Sequence, residues 1–403
     1  MDFLPGWPPE YNTQIAFGML LFAGVLGGYL AHRISWLPSI TGFMAVGLLI
    51  GPSGINIVTQ DALDLARAVI DISLGLILYR LGLSLDLRAM GRDPRLLITG
   101  FIESATTFIV AFFVLSWLGL PTLLAGLVAA IVISSSPAIL IHVANEVGAA
   151  GPVTERAKEL VALNNLFSFF AFSALLPAGL LANEAGWRTA LFQPLYQLLG
   201  SLLIAVVIAV LLVQTARFTR AARQYRMALI IGALMLGVGA AKAFGLSALF
   251  VPLALGVVVR TLEGKETLSD VEFGEAFELF FIVLFVYAGA KIQFMEVAAL
   301  GGIAVALVAT RIAAKWLTVY GMTRWQGIAP QPAAAAGLLL VPMAGLAIGL
   351  AQTADTLFAL EAEQLNAIVL AAVAILETIG PPIAAYAFRL AGETGKVGAG
   401  RTA

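Results

Sequence analysis

Apolar residues run along the chain in long blocks, which polar and charged residues interrupt at nearly regular intervals. Most blocks contain about 20 residues, the length that an α-helix needs to cross the ~30 Å hydrocarbon core of a bilayer. The pattern predicts thirteen membrane-spanning helices at about 14–31, 36–55, 68–87, 95–117, 122–145, 157–182, 195–215, 227–244, 246–260, 273–291, 296–320, 332–352 and 364–390. We therefore expect an all-α, polytopic membrane protein with a single membrane domain.

The amino-acid composition excludes several classes of site and function for this membrane protein. Of the 403 residues, 60% are hydrophobic and 12% charged, and the mean hydropathy is +0.96. Without cysteine and with only two histidines, the chain offers no disulfide, thiolate metal site or His-rich metal cluster. The net charge of -1 gives no indication of a basic surface that would bind nucleic acid. No nucleophile–base pair is visible, so we expect a protein that is not an enzyme and carries no metal or cofactor.

The basic residues orient the predicted spans, because cytoplasmic loops collect Lys and Arg. With the N-terminus outside, sixteen of the 23 basic residues fall in inward loops and the inward tail, and four in outward loops. Three lie inside spans: Arg80, Arg311 and Lys315. The first apolar block follows no basic segment, so it is predicted to be a span and not a cleaved signal. We expect a multi-pass protein of the cell's inner (plasma) membrane, with its N-terminus outside and its C-terminus in the cytoplasm.

Proline predicts an interruption in two of the spans, the fifth and the twelfth. The fifth contains Pro137 in "ISSSPAIL", and the twelfth contains Pro342 and Gly345 in "LLVPMAGLAIG". Proline removes a backbone donor and clashes with the preceding turn, so each span is either kinked or broken. Broken backbone at membrane depth survives only where it is buried in protein or lines a wet cavity.

The spacing of the two prolines indicates an internal repeat. The two spans lie seven apart, an odd number, so they cross the membrane in opposite directions. Interrupted spans at matching places of two inverted halves are a sequence pointer to the binding site of a transporter. The predicted division is repeat 1 at about 14–182, a linker helix at about 195–215, repeat 2 at about 227–390 and a short cytoplasmic tail at 391–403.

Two adjacent carboxamides, Asn164 and Asn165, interrupt the apolar sequence of the sixth span in "LVALNNLFSF". Burying them costs free energy unless each finds hydrogen-bond partners. An Asn side chain offers a carbonyl acceptor and an NH₂ donor but does not titrate. The pair can therefore bind a cation through its oxygens, bind an anion through its amide donors, or only hydrogen-bond frayed backbone.

Several segments resemble the monovalent cation:proton antiporter-2 family, which includes glutathione-gated potassium efflux proteins and bacterial sodium/proton antiporters. The similar segments are "LPSITGFMAVGLLIGPSGI" (37–55), "YRLGLSLDLRAM" (79–90), "ISSSPAILIHVANEVG" (133–148) and "ETIGPPIAAYAFRLAGE" (377–393). The resemblance implies the sodium/proton antiporter fold, with two crossed, interrupted helices. It also implies a homodimer that works by elevator-type alternating access.

The resemblance assigns roles to the polar residues of the spans. Asn164 and Asn165 occupy the place of the family's ion-binding pair, which is usually Asp-Asp or Asn-Asp, and Arg311 matches the basic residue that usually faces that pair. Ser135 and Ser136, beside the first break, join them as candidate ion-binding residues.

Arg311 needs a partner in the bilayer because a guanidinium stays protonated. Glu103, in the span of repeat 1 that matches the span of Arg311, is the candidate, both as its ion-pair partner and as an ion-binding residue. Alternatively, Glu103 lies near a helix end within reach of water. Since neither Asn can carry a proton, Glu103 and Glu377 are the candidate proton carriers.

Three functions remain open. The first is a transporter that exchanges Na⁺ or K⁺ for H⁺, with Asn-Asn in place of the acidic pair. The second is a carrier of anions or small organic solutes on the same fold, and the third is a non-transporting sensor. The Gly-rich "GETGKVGAG" (392–400) has no strand or helix around it to form a phosphate-binding loop, so no nucleotide-binding domain is expected.

Overall fold

A computed structural model of the chain describes residues 12–34, 39–84, 93–182, 187–219, 223–262, 274–292, 294–357 and 362–395. Throughout these ranges the regular structure is helical, as predicted. The helices are α1 (Thr13–His32), α2 (Ser39–Ile50), α3 (Gln60–Ser84), α4 (Pro94–Trp117), α5 (Thr122–Ile131), α6 (Pro137–Glu146), α7 (Pro152–Ala182), α8 (Trp187–Phe218), α9 (Arg223–Ala243), α10 (Phe250–Leu262), α11 (Gly274–Ala290), α12 (Phe294–Trp325), α13 (Pro330–Leu338), α14 (Gly345–Leu357) and α15 (Ala362–Leu390).

The helices correspond one by one to the predicted spans once two pairs are recognised as halves of interrupted helices. In the first pair α5 ends at Ile131 and α6 begins at Pro137. In the second, α13 ends at Leu338 and α14 begins at Gly345, with Pro342 in the gap. Both predicted interruptions are confirmed. Among the described residues, seven helices are long and apolar enough to cross a membrane by length and composition alone.

Local sequence explains how α6 starts. Pro137 stands at its first position, where the missing N–H costs nothing and the fixed φ favours a helix. Ser136 is the N-cap, and its Oγ accepts a hydrogen bond of 3.3 Å from the backbone N–H of Ile139.

The chain divides into two compact units. The first comprises α1, α2, the first part of α3 and α11. Its helices touch through glycines: a Cβ on Gly42 would lie 2.2 Å from the carbonyl oxygen of Gly27, and one on Gly47 would lie 2.1 Å from that of Val286. Small residues allow membrane helices this close approach.

The second unit contains the rest of α3 and the remaining helices, including both interrupted ones. Within it, α15 packs against all four half-helices, and α4 and α7 pack against α5. These units are not the two predicted repeats, whose boundaries remain a prediction.

The predicted tail begins with a segment that is not free in solvent. Residues 391–395 follow α15, and Glu393 among them is only 3% exposed. The rest of that tail, 396–403, lies outside the described residues, as do Arg88 and Arg92 of one predicted inward loop.

Candidate functional site: the crossing of two interrupted helices

The two breaks meet inside the second unit. The backbone N–H of Ser136 donates to the carbonyl of Pro342 at 2.7 Å, and the hydroxyl of Ser135 donates to the carbonyl of Leu340 at 2.9 Å. Both serines are 2% exposed. The non-helical backbone is thus buried in protein, as its survival at membrane depth requires.

Arg311 of α12 binds the backbone of both breaks. Its guanidinium donates to the carbonyl oxygens of Val132 at 2.9 Å and Ser134 at 2.6 Å, both in the first break. In the second break it donates to the carbonyls of Leu340 at 3.3 Å and Val341 at 2.5 Å. Carbonyls at a helix C-terminus lack intrahelical partners and carry partial negative charge, so one buried cation satisfies two helix ends.

The predicted Glu103–Arg311 ion pair is wrong. Glu103 instead binds Lys315, whose Nζ lies 2.7 Å from Glu103 Oε1, and both side chains are fully buried. Lys315 also donates to the carbonyl of Ile133 at 2.7 Å. Lys315 stands four residues after Arg311, on the same face of α12, and the carbonyls of the breaks occupy Arg311. The alternative expectation, that Glu103 lies near a helix end within reach of water, is also wrong, because the side chain is fully buried.

Two hydroxyls complete the surroundings of Glu103. Thr107 donates to Oε1 at 3.0 Å, and Ser104 lies 3.5 Å from Oε2 and 3.3 Å from Asn164 Oδ1. Sequence reasoning did not assign a role to either. For Thr107 the signal was the spacing, since it lies one helical turn after Glu103 and shares its face.

Asn164 and Asn165 of α7 are fully buried at the same crossing. Asn165 Oδ1 accepts from the backbone N–H of Ser135 at 3.1 Å, and Asn164 Nδ2 donates to the Ser135 hydroxyl at 3.3 Å. Among the described residues, Asn165 Nδ2 has no hydrogen-bond partner. Asn165 therefore binds backbone of the first break, Asn164 binds a side chain of that break, and the Nδ2 donor of Asn165 is left without a partner in this part of the chain.

A polar chain thus connects the groups that sequence reasoning had singled out. It leads from Lys315 through Glu103 and Ser104 to Asn164, and on to Ser135 in the first break. The structure brings Glu103, Ser135, Ser136, Asn164, Asn165 and Arg311 to one crossing. Its buried titratable pair is Glu103 and Lys315.

Glu377 lies on α15, apart from this chain. Its side chain is 2% exposed, and within the described part of the protein no hydrogen bond or ion pair reaches it. One turn later, a Cβ on Gly380 would lie 3.1 Å from Pro342 Cα, so this part of α15 packs against the second break. The described residues include no group of three or more His, Cys, Asp or Glu that could hold a metal ion.

Comparisons with known proteins give the family of the chain and structures of similar fold. The family model described as sodium/hydrogen exchanger, transmembrane, matches residues 18–388. The structure of the sodium proton antiporter MjNhaP1 from Methanocaldococcus jannaschii at pH 8 is similar in fold, with a TM-score of 0.70, 18% sequence identity, and coverage of 95% of this chain and 98% of that chain. An electron-microscopy map of the same antiporter gives a TM-score of 0.70 at 18% identity, covering 93% and 94%. No curated protein matches the chain.

Proposed function

Because the chain belongs to the sodium/hydrogen exchanger family, we propose that it is a secondary active transporter that exchanges a monovalent cation, Na⁺ or K⁺, for H⁺. The observation that carries the proposal is the fully buried Glu103–Lys315 pair, held against the carbonyl of Ile133 in the first break. Coupled exchange requires a site where cation and proton compete, and the Asn pair cannot provide one because it does not titrate.

The cation takes the place of the Lys315 ammonium. That position offers the Glu103 carboxylate and the Ile133 carbonyl, with the Thr107 hydroxyl on the same carboxylate oxygen. Oxygen ligands of this kind suit hard cations. Unlike an arginine, a lysine can give up its proton when its surroundings change.

The charges of this exchange balance. The resting pair holds one carboxylate and one ammonium. When a cation M⁺ binds Glu103, Lys315 releases one proton and becomes a neutral amine, so the total charge of the crossing stays the same. On the opposite side of the membrane Lys315 takes up a proton and M⁺ leaves. The exchange is one cation for one proton and moves no net charge.

Asn164, Asn165, Ser135 and Ser136 supply neutral oxygens and donors to the crossing. Asn164 Oδ1, reached through Ser104, is the amide oxygen nearest to the proposed cation position along the hydrogen-bonded chain. Arg311 keeps its charge and holds the two breaks together. The breaks and the helices around them would move as one body in an elevator-type cycle, within a homodimer whose N-terminus faces outward.

Glu377 is the second candidate proton carrier. Its helix packs against all four half-helices, so a proton on Glu377 could follow the same movement. Replacing Glu377 by Gln separates the two candidates: exchange by the variant assigns the proton to Glu103 and Lys315, whereas loss of exchange with folding intact assigns it to Glu377.

Everted membrane vesicles with a pH-sensitive dye test the exchange itself. After acidification of the lumen, addition of Na⁺, K⁺ or Li⁺ is expected to dequench the dye in vesicles that contain the protein, and not in vesicles that contain the variant with Glu103→Gln and Lys315→Met. Absence of dequenching with all three cations between pH 6 and 9 would refute cation/proton exchange.

A carrier of anions or small organic solutes is the alternative, and one observation favours it. The amide Nδ2 of Asn165 is a buried donor without a partner in the described residues, as an acceptor ligand would require. Against it, the guanidinium of Arg311 already serves carbonyls of both breaks. A thermal-shift panel of organic anions and alkali-metal salts distinguishes the two functions by which class raises the melting temperature.

A further inference from the structure

The carboxyl end of α15 is bound to the start of α7. Glu393 Oε1 accepts from the backbone N–H of Val153 at 2.8 Å. Glu393 Oε2 accepts from the N–H of Thr154 at 2.8 Å and from its hydroxyl at 2.6 Å. The first N–H groups of a helix have no partner within it, and the positive end of the helix dipole favours a carboxylate there. Glu393 therefore caps α7 from another part of the chain.

The backbone around Glu393 reinforces this contact. The N–H of Ala150 donates to the Glu393 carbonyl at 3.1 Å, and the N–H of Gly395 donates to the carbonyl of Val147 at 3.0 Å. Gly151 leaves room for the carboxylate, because a Cβ there would lie 2.3 Å from Oε1. We call residues 147–154 together with residues 393–395 the C-terminal clasp.

The clasp joins the ends of three helices that build the crossing. It follows α6 directly, includes the start of α7 and lies just after the end of α15. Asn164 lies ten residues after Thr154 on α7, about 15 Å along a rigid helix. The amides at the crossing hold their partners at 3.1–3.3 Å, so a small rotation or slide of α7 would break these contacts.

We infer that Glu393 is a positioning residue for the transport site, which fixes the rotation and height of α7 and thereby aligns Asn164 and Asn165 with Ser135. The expected effect of Glu393 on transport rests on the proposed cation/proton exchange, whereas its expected effect on the structure of α7 does not. Glu393 lies outside the crossing, so its substitution should change the alignment of the site and leave the groups proposed to bind the cation in place.

The test compares Glu393→Gln with Glu155→Gln. The first keeps the size of the side chain but turns one acceptor oxygen into an NH₂ group that faces N–H donors. The second removes a negative charge from the first turn of the same helix, where the Glu155 side chain is 67% exposed and pairs with Lys158. A third variant, Thr154→Ser, keeps the buried hydroxyl and should behave as the unaltered protein.

Two measurements are made on each variant. In everted vesicles, Glu393→Gln should raise the KM for the cation about fivefold, the effect of about one lost hydrogen bond, with a smaller change in the maximal rate. Hydrogen exchange followed by mass spectrometry should show faster exchange in peptides that contain residues 153–154 and residues 160–168. Glu155→Gln and Thr154→Ser should match the original in both.

Three results would overturn the inference. Unchanged hydrogen exchange at 153–154 would mean that the clasp does not form. Faster hydrogen exchange at 153–154 with an unchanged KM for the cation would mean that the clasp has a structural role only. If the original protein transports no cation, the proposed function fails and no KM can be measured. The inference is then decided by hydrogen exchange at residues 160–168, and an unchanged rate there in Glu393→Gln refutes it.

Discussion

At the scale of single residues, Arg311 shows why two broken helices can coexist in one buried crossing. A guanidinium has five N–H donors in a rigid plane, and here they reach carbonyls of both breaks. A lysine ammonium is a compact group with three donors. The crossing therefore depends on the geometry of the side chain as well as on its charge.

Arg311→Lys tests this dependence. The lysine cannot serve four carbonyls with three donors, and each buried acceptor left unpaired costs about 1–3 kcal/mol. We expect a clearly lower melting temperature for the detergent-solubilised protein, followed by tryptophan fluorescence, together with loss of exchange in vesicles. Arg324→Lys is the matched control, because Arg324 lies on the same helix, is exposed, and donates to the carbonyl of Ile328. Equal melting temperatures for the two variants would contradict the role given to Arg311.

Single and double substitutions of the Glu103–Lys315 pair distinguish its effect on stability from its effect on transport. Removing one partner of a buried ion pair costs about 3–5 kcal/mol, whereas replacing both by uncharged groups of similar size is often neutral. Glu103→Gln alone should unfold at a markedly lower temperature than the original protein. The double variant with Glu103→Gln and Lys315→Met should regain most of that stability and still fail to exchange cations. A stable double variant that exchanges at the original rate would remove the pair from the mechanism.

Sequence reasoning found most residues of the site but not their pairing. The NN doublet, the two serines, Glu103 and Arg311 stand out because polar side chains are costly in apolar spans. The partner of Glu103 could not be read in this way. Arg311 and Lys315 share one helix face, and only the position of the interrupted carbonyls decides which of them reaches the carboxylate.

At the scale of helices, the spans and their interruptions follow from local sequence. Apolar length sets the spans, and Pro137 and Pro342 indicate where two of them are interrupted, because a proline in a helix interior removes a backbone hydrogen bond and clashes with the preceding turn. Proline alone does not decide the matter, since Pro381 and Pro382 lie inside the continuous helix α15. The binding of Glu393 to α7 was not predictable. A glutamate in a glycine-rich end is typical of a solvated tail, and its partners at 153 and 154 lie about 240 residues away in sequence.

Glycines let the helices of the first unit touch, which leads to a prediction for α2. A Cβ on Gly47 would lie 2.1 Å from the carbonyl oxygen of Val286, a backbone atom that cannot turn aside, whereas a Cβ on Gly18 of α1 meets nothing within 4 Å. Gly47→Ala should force α2 and α11 apart and lower the free energy of unfolding by about 1–3 kcal/mol through overpacking. The melting temperature should fall accordingly. Gly18→Ala should leave it unchanged or raise it slightly. A melting temperature for Gly47→Ala equal to that of the control would show that these helices do not pack so closely.

At the scale of the whole molecule, membership of the sodium/hydrogen exchanger family defines the class of transport, and the crossing defines how this chain could perform it. The likeness to an archaeal sodium proton antiporter, at 18% identity, concerns the fold alone. In this chain the Asn pair is uncharged, and a buried acid–base pair lies one step away from it, on α4 and α12.

The release of protons on cation binding measures this exchange most directly. Purified protein in weakly buffered detergent solution is titrated with NaCl or KCl, with choline chloride as the ionic-strength control, and the released protons are counted with a pH dye. The proposed competition for Glu103 predicts about one proton per bound cation, the number that an electroneutral exchange at one lysine requires, and none from the variant with Glu103→Gln and Lys315→Met. Cation binding without proton release by the original protein, or equal release by the double variant, would contradict it.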